Sequence, residues 1–194
     1  MRNDYKSMEG FCRIEGFKNI LIIVTGSIAA VKVSELVEQL EKNKIIVKIV
    51  STKSGAKFLE PHILEKSFVD SDSFKFWKKI GDPIIHIQLA KWADLVLVAP
   101  LDACTLGKIS SGICDNLATD IIRAFPVSKP LLFCPAMNTT MYDHPITLIQ
   151  ISLLKSWGYE EVPPISKMLA CGDYGMGAMS HVEEIVKVVT HRLN

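Results

Sequence analysis

Four short aliphatic runs without polar alternation constrain the fold of this 194-residue chain more than any other feature. They are Ile20–Val24, Ile45–Val50, Leu95–Ala99 and Leu131–Cys134, the last two stopped by Pro100 and Pro135. A strand with one wet face alternates polar and apolar residues, whereas a strand covered on both faces need not. Segments of helical spacing lie between the runs. Val33, Leu36, Val37 and Leu40 share one stripe, and helices are expected around 53–60, 103–110 and 115–124. Pro145 suits the first turn of another helix, with Ile146, Ile149, Leu153 and Trp157 on one face. Ser180-x-x-Glu183 reads as a capping box opening a last helix, with Val182, Ile185, Val186 and Val189 inward. The alternation predicts a single-domain α/β fold, a doubly wound parallel sheet with helices on both faces. The domain is expected over residues 18–194, after a flexible leader at 1–17.

Composition narrows the function classes. Hydrophobic residues make up 48% of the chain, and 22 Lys and Arg against 21 Asp and Glu leave a formal charge of +1. A disordered chain shows the reverse balance. A protein that binds nucleic acid by neutralising phosphates carries a basic excess, so no nucleic-acid partner is expected. The apolar share implies strands buried on both faces, or surface covered by partner subunits. No apolar stretch approaches the roughly 18 residues of a membrane span, so no membrane partner is expected. The first 19 residues contain Asp4, Glu9 and Glu15 and no apolar core of a secretory signal. The five cysteines are scattered without a C-x-x-C pair, which argues against structural zinc or a disulfide framework. A cytoplasmic protein without a metal site is the expectation.

In a doubly wound sheet, ligands sit beyond the carboxyl ends of the strands. The informative loops are therefore 25–28, 51–55, 100–105 and 135–142. Thr25-Gly26-Ser27-Ile28 suits a phosphate at a helix start or an ordinary strand–helix turn, and matches neither common glycine-rich nucleotide fingerprint. Ser51-Thr52-Lys53-Ser54 adds hydroxyls and a cation, residues that also cap helices well. Asn138 is polar where a ligand would lie, although asparagine there is more often a helix cap. His86 stands among apolar residues, the usual setting of a core histidine, yet histidine is also the commonest general base. Cys171 lies in a segment with Gly172, Gly175 and Gly177, which reads as a flexible flap rather than a core element.

Five motifs occur in order: HI-x-L-x-x-WAD at 86–94, APLDA-x-TLGKI at 99–109, SGICDNL at 111–117, PAMN-x-x-M at 135–141 and ACGD-x-G-x-GAM at 170–179. Together they make the chain resemble the homo-oligomeric flavin-containing cysteine decarboxylases, from about Lys18 to Val189. The resemblance implies bound FMN, a flavodoxin-like sheet and a homotrimer with active sites between subunits. It implies decarboxylation of a small molecule, 4′-phospho-N-pantothenoylcysteine, to 4′-phosphopantetheine in coenzyme A biosynthesis. The cysteine moiety would be oxidised to a thioaldehyde, lose CO₂ as an enethiolate, and then be reduced. Gly26, Ser27 and Ile28 would hold the FMN phosphate, assisted by Thr52 and Ser54. Asp102, Ala103, Cys104, Thr105 and Ala136 would line the flavin. His86 matches the family's catalytic histidine, and Cys171 the proton donor of the reductive step. Asn138 matches the asparagine that binds the substrate carboxylate region, and Met141 belongs to the same substrate motif. Lys91 is a further candidate for substrate binding. Two positions depart from the pattern. Cys104 stands where the family usually has Asn, and a thiol lacks the amide's paired donor and acceptor. Lys91 stands where relatives often carry Arg, losing bidentate geometry but not charge. The alternatives are a halotolerance-type FMN-binding subunit that inhibits a protein phosphatase, a peptidyl-cysteine decarboxylase and a flavin prenyltransferase relative. The first usually carries acidic or low-complexity extensions, and the His86 and Cys171 motifs speak against the last.

Overall fold

The computed structural model describes residues 11–169 and 172–193. Cys171 lies outside them. In chain order the elements are β1 (Lys18–Val24), α1 (Val33–Glu41), β2 (Ile45–Ser51), α2 (Pro61–Lys66), α3 (Ile85–Trp92), β3 (Leu95–Leu101), α4 (Ala103–Ser110), α5 (Leu117–Ala124), β4 (Leu131–Pro135), α6 (Thr139–Tyr142), α7 (Pro145–Ser156), β5 (Glu160–Glu161), β6 (Ile165–Met168), β7 (Tyr174–Ala178) and α8 (Val182–Leu193). β1 to β5 form one parallel sheet in the order β2-β1-β3-β4-β5. Strand order reverses beside β1, which opens a crevice between the β1 and β3 loops.

The missing alternation has the expected cause. Ile20, Ile22 and Val24 pack under α1 and α8, while Leu21 and Ile23 pack under α3, α4, α5 and α7. Each strand thus feeds two cores, and the doubly wound, flavodoxin-like architecture stands.

Five local expectations are corrected. β3 does not stop at Pro100 but runs on to Leu101, with a cis Ala99–Pro100 bond and a register shift against β4. Pro100 lacks an N–H, yet its carbonyl accepts from Thr25, which ties the segment in. The helix expected at 53–60 is only a 3₁₀ turn at Gly55–Lys57, because Pro61 holds Glu60 extended and restarts the chain as α2. In α7 the inward residues are Thr147, Ile151 and Leu154, whereas Ile146, Ile149, Leu153 and Trp157 are exposed. That helix is apolar on two faces, so periodicity alone could not fix its phase. The glycine-rich segment is partly regular: β7 pairs antiparallel with β6 as a separate hairpin. α8 buries the four residues expected, but it begins at Val182, so His181 rather than Ser180 precedes it.

The described residues before β1, from Phe11 on, are tied to the body. Arg13 grips both carboxylate oxygens of Asp94 at 2.6 and 2.8 Å and donates to the Trp92 carbonyl at 3.3 Å. The Asn19 N–H donates to Asp94 as well. Partial burial alone would raise the Asp94 pKa, but these donors hold it below its usual value. Beside them, Lys48 is buried with its ammonium over the rings of Phe11, Phe68 and Trp92, and burial pulls its pKa down to about 8. The end of α3 is thereby fixed to β1, β2 and the leading segment.

Gly55 tests how closely the loops at the sheet's carboxyl edge approach. A Cβ there would lie 2.6 Å from the Val24 carbonyl oxygen, a backbone atom with no freedom to move aside. Gly55→Ala should cost about 2 kcal/mol or more, lowering the melting temperature in a thermal scan by roughly 4–8 °C. An unchanged melting temperature would contradict this packing.

Candidate functional site

Three loops converge beyond the ends of β1, β2 and β3. Thr25, at the end of β1, donates its hydroxyl to the Pro100 carbonyl at 2.8 Å and accepts from the Asp102 N–H at 2.7 Å. The Asp102 carboxylate returns the link. One oxygen accepts from the Gly26 N–H at 3.0 Å, and the other caps α4 by accepting from the Thr105 N–H at 2.7 Å. A Cβ on Gly26 would stand 2.7 Å from Ser54 Cβ and 2.8 Å from the Asp102 carboxylate, so only glycine fits. The Thr52 N–H donates to the Val24 carbonyl, and the Thr52 hydroxyl accepts from the Gly55 N–H. Ser27 caps the 3₁₀ turn Ile28–Lys32 that leads into α1.

The fourth loop follows β4. Asn138 caps α6 by accepting from the Thr140 N–H at 2.8 Å, while its amide N–H donates to the Asp173 carboxylate at 3.0 Å. The hairpin folds back over this loop. The Met137 N–H donates to the Gly177 carbonyl at 2.9 Å. A Cβ on Gly177, at φ +134°, would collide with the Met137 carbonyl, and one on Gly175 would lie 2.6 Å from the Thr139 hydroxyl. The tip is closed by the Leu169 N–H donating to the Asp173 carbonyl and the Gly172 N–H to the Leu169 carbonyl.

Between the sheet edge and the hairpin lies a cavity of about 760 Å³. That is within the range of small-molecule sites. Gly26, Ser27, Ile28, Asp102, Ala103, Cys104, Ala136, Asn138 and Met141 line it. Nine of the residues selected from the sequence therefore meet in one place. Ser54 stands directly behind Gly26, Thr52 serves its own turn, and Thr105 is buried beneath α4's first turn. His86 and Lys91 do not line the cavity of the single chain. They sit at opposite ends of α3, which packs on the other face of the sheet. Sequence reasoning missed Lys32, Met137, Lys167, Met179, His181 and Glu183 in the lining. Met137 and Met179 fall inside the PAMN and GAM motifs and could have been found there. The two lysines had no local signal.

The arrangement can hold a flat, partly apolar ligand with an anionic end. Ala103, Ala136, Met137 and Met179 supply apolar walls, and Ser27 supplies a hydroxyl on a loop without a cation. The Asn138 amide already holds a carboxylate, that of Asp173.

Comparison with known proteins agrees with this geometry. A family model described as Flavoprotein matches residues 13–194. The mouse protein named phosphopantothenoylcysteine decarboxylase is 51% identical over 172 residues, 88% of this chain and 84% of the relative. The Streptococcus mutans protein named probable phosphopantothenoylcysteine decarboxylase is 42% identical over 181 residues, covering 91% and 99%. Among solved structures, a PPC decarboxylase mutant complexed with pantothenoylaminoethenethiol superposes with TM-score 0.86 at 43% identity, over 90% of this chain and 97% of that one. The FMN binding protein AtHal3 superposes with TM-score 0.82 at 44% identity, over 90% and 95%.

If Asp102 is the tie between the two loops, its removal should be felt as stability. Asp102→Ala orphans the Gly26 and Thr105 N–H groups and should cost about 1–3 kcal/mol. Asp102→Asn keeps one acceptor oxygen and should fall between. Equal denaturation midpoints in urea for all three proteins would remove the carboxylate from this role.

Proposed function

The chain belongs to the flavoprotein family, and from that membership we propose that it removes CO₂ from 4′-phospho-N-pantothenoylcysteine, giving 4′-phosphopantetheine, with FMN held in the cavity between the β1 and β3 loops. The observation that carries the reading is the Asn138 amide, which faces this cavity and already binds a carboxylate at 3.0 Å.

The residues present fit FMN. Gly26, without a Cβ, lets the loop lie close to a ligand, and Ser27 and Ile28 complete a neutral cradle for its phosphate. Ala103, Cys104 and Ala136 give the ring a wall, with Thr105, Thr52 and Ser54 shaping that wall from behind. When bound, FMN supplies the oxidation of the substrate's cysteine moiety, which gives the carboxylate an electron sink, and the later return of those electrons.

The chain's own residues do the rest. Asn138 orients the substrate carboxylate, which takes the place of Asp173 on its amide. Met141, half-exposed at the cavity, packs against the substrate. The hairpin covers the bound molecule and excludes water, and Cys171 delivers the proton of the reductive step. His86 acts as the base of the oxidative step. Because α3 lies away from the cavity in its own chain, His86 and Lys91 reach the site of a neighbouring subunit in a homotrimer. The apolar side chains left exposed, among them Ile28, Val31, Ile146, Ile149, Leu153 and Trp157, give such an assembly surface to bury. No helix among the described residues is long and apolar enough to cross a membrane.

Two experiments test this. The purified protein, its flavin content measured from the visible spectrum, should release CO₂ from the substrate and form a product of the expected mass. Cys171→Ser should stall with an oxidised enethiol product, and His86→Asn should abolish CO₂ release. Normal turnover by either variant removes that residue's role, and no turnover by the flavin-loaded native protein removes the reading. Sedimentation at micromolar concentration should give a trimer, and a stable monomer would rule out shared sites.

A further inference from the structure

Two lysines line the cavity, and they differ in what they hold. Lys32 follows the Ser27 loop and gives its ammonium to Glu35 at 3.1 Å. Lys167 lies on β6 and makes no ion pair and no side-chain hydrogen bond among the described residues. Its place is set by the backbone. In the antiparallel ladder Lys167 stands opposite Gly175, so no cross-strand side chain competes with it. β7, in turn, is held to the β4 loop by the Met137–Gly177 bond and by the contact of Gly175 with Thr139.

The proposed substrate carries two anionic groups at opposite ends, a carboxylate and a phosphate. Asn138 accounts for the first. The second is best met by a cation, because a phosphate taken from water into a partly apolar cavity must be matched by charge or by several donors, and the donors of the Ser27 loop are assigned to the FMN phosphate. A chain of net charge +1 supplies no general basic field. Of the lysines in the lining, Lys32 is already spent on Glu35. Of the acidic residues there, Asp102 is engaged by two N–H groups.

Resting on the decarboxylase reading, we infer that Lys167 binds the substrate's phosphate and sets the preference for the phosphorylated over the dephosphorylated compound. Lys167 is a specificity residue. It touches the far end of the substrate and takes no part in bond breaking. Lys167 stands on the hairpin that walls the cavity, and the bonds of β7 to the β4 loop fix where it stands.

The test uses the flavin-loaded full chain. Initial rates are measured for phosphorylated and dephosphorylated pantothenoylcysteine with the native protein, Lys167→Gln and Lys167→Arg. Lys167→Gln should raise KM for the phosphorylated compound and narrow the preference between the two by about tenfold, the size of one charge-assisted hydrogen bond. Lys167→Arg should keep most of the preference. A preference unchanged in Lys167→Gln, or equal losses on both compounds, overturns the inference. So does weaker flavin retention in place of a changed preference, measured by fluorescence of released flavin, since that would put the cation on the cofactor. Calorimetric binding of 4′-phosphopantetheine against pantetheine reads the same preference without turnover. Failure of the native protein to decarboxylate would thus strike the parent reading, and a missing difference in calorimetry would strike Lys167.

Discussion

The site depends on one carboxylate. Asp102 accepts from the β1 loop through Gly26 and from the first turn of α4 through Thr105. Its own N–H is taken by Thr25, whose hydroxyl also reaches the Pro100 carbonyl. Three loop amides, of Gly26, Asp102 and Thr105, and the Thr25 hydroxyl are satisfied by this one network. The same closeness demands glycine at 26 and 55, where a Cβ would meet Ser54 or the Val24 carbonyl. Asp102 lines the cavity and is at the same time the clamp that brings two strand ends together. The ligand surface is what the clamp leaves exposed: Ser27 and Ile28 on one side, Ala103 and Cys104 on the other.

A second clamp works on the opposite face. The Trp-Ala-Asp sequence at 92–94 occurs within a motif that also contains His86, and its residues hold the helix in place. Asp94 joins Arg13 to the start of β1, the Trp92 carbonyl accepts from Arg13 and Asn19, and the Trp92 ring lies beside the Lys48 ammonium. α3 is fixed at its C-terminal end, while His86, at its N-terminal end, remains partly exposed. That is the arrangement a helix needs if it is to present a side chain outward with little loss of precision.

The sheet was legible because burial on both faces removes polar alternation, and the strand bounds agree with the aliphatic runs to within a few residues. Positions after strands were legible for a similar reason: the topology favours a ligand there, and nine selected residues from three loops meet in one cavity. What escaped was decided by partners distant in sequence. The phase of α7 is set by which of two apolar faces meets α4. The continuation of β3 past Pro100 is set by Thr25, 75 residues away. The hairpin of β6 and β7 was hidden because its glycines look like looseness. Gly177 is instead required by the Met137 carbonyl, and Gly175 by Thr139. Lys167 had no signal at all, since a single lysine on a short exposed strand resembles any solvated cation until a cavity is found beneath it.

The apolar surplus and the near-zero net charge then follow from one arrangement. Apolar side chains fill two cores on either side of one sheet, and others, on α7 and around the cavity mouth, are exposed in the single chain. A site assembled between subunits would bury part of that surface, and the same act would bring His86 to a cavity its own chain cannot reach. Such a site needs little charge. On the proposed reading its anions would be few and met singly: a hydroxyl and backbone for one phosphate, an amide for the carboxylate, one ammonium for the other phosphate. A strongly basic surface would attract polyanions and resist the close approach of like subunits. A balanced chain with local donors avoids both.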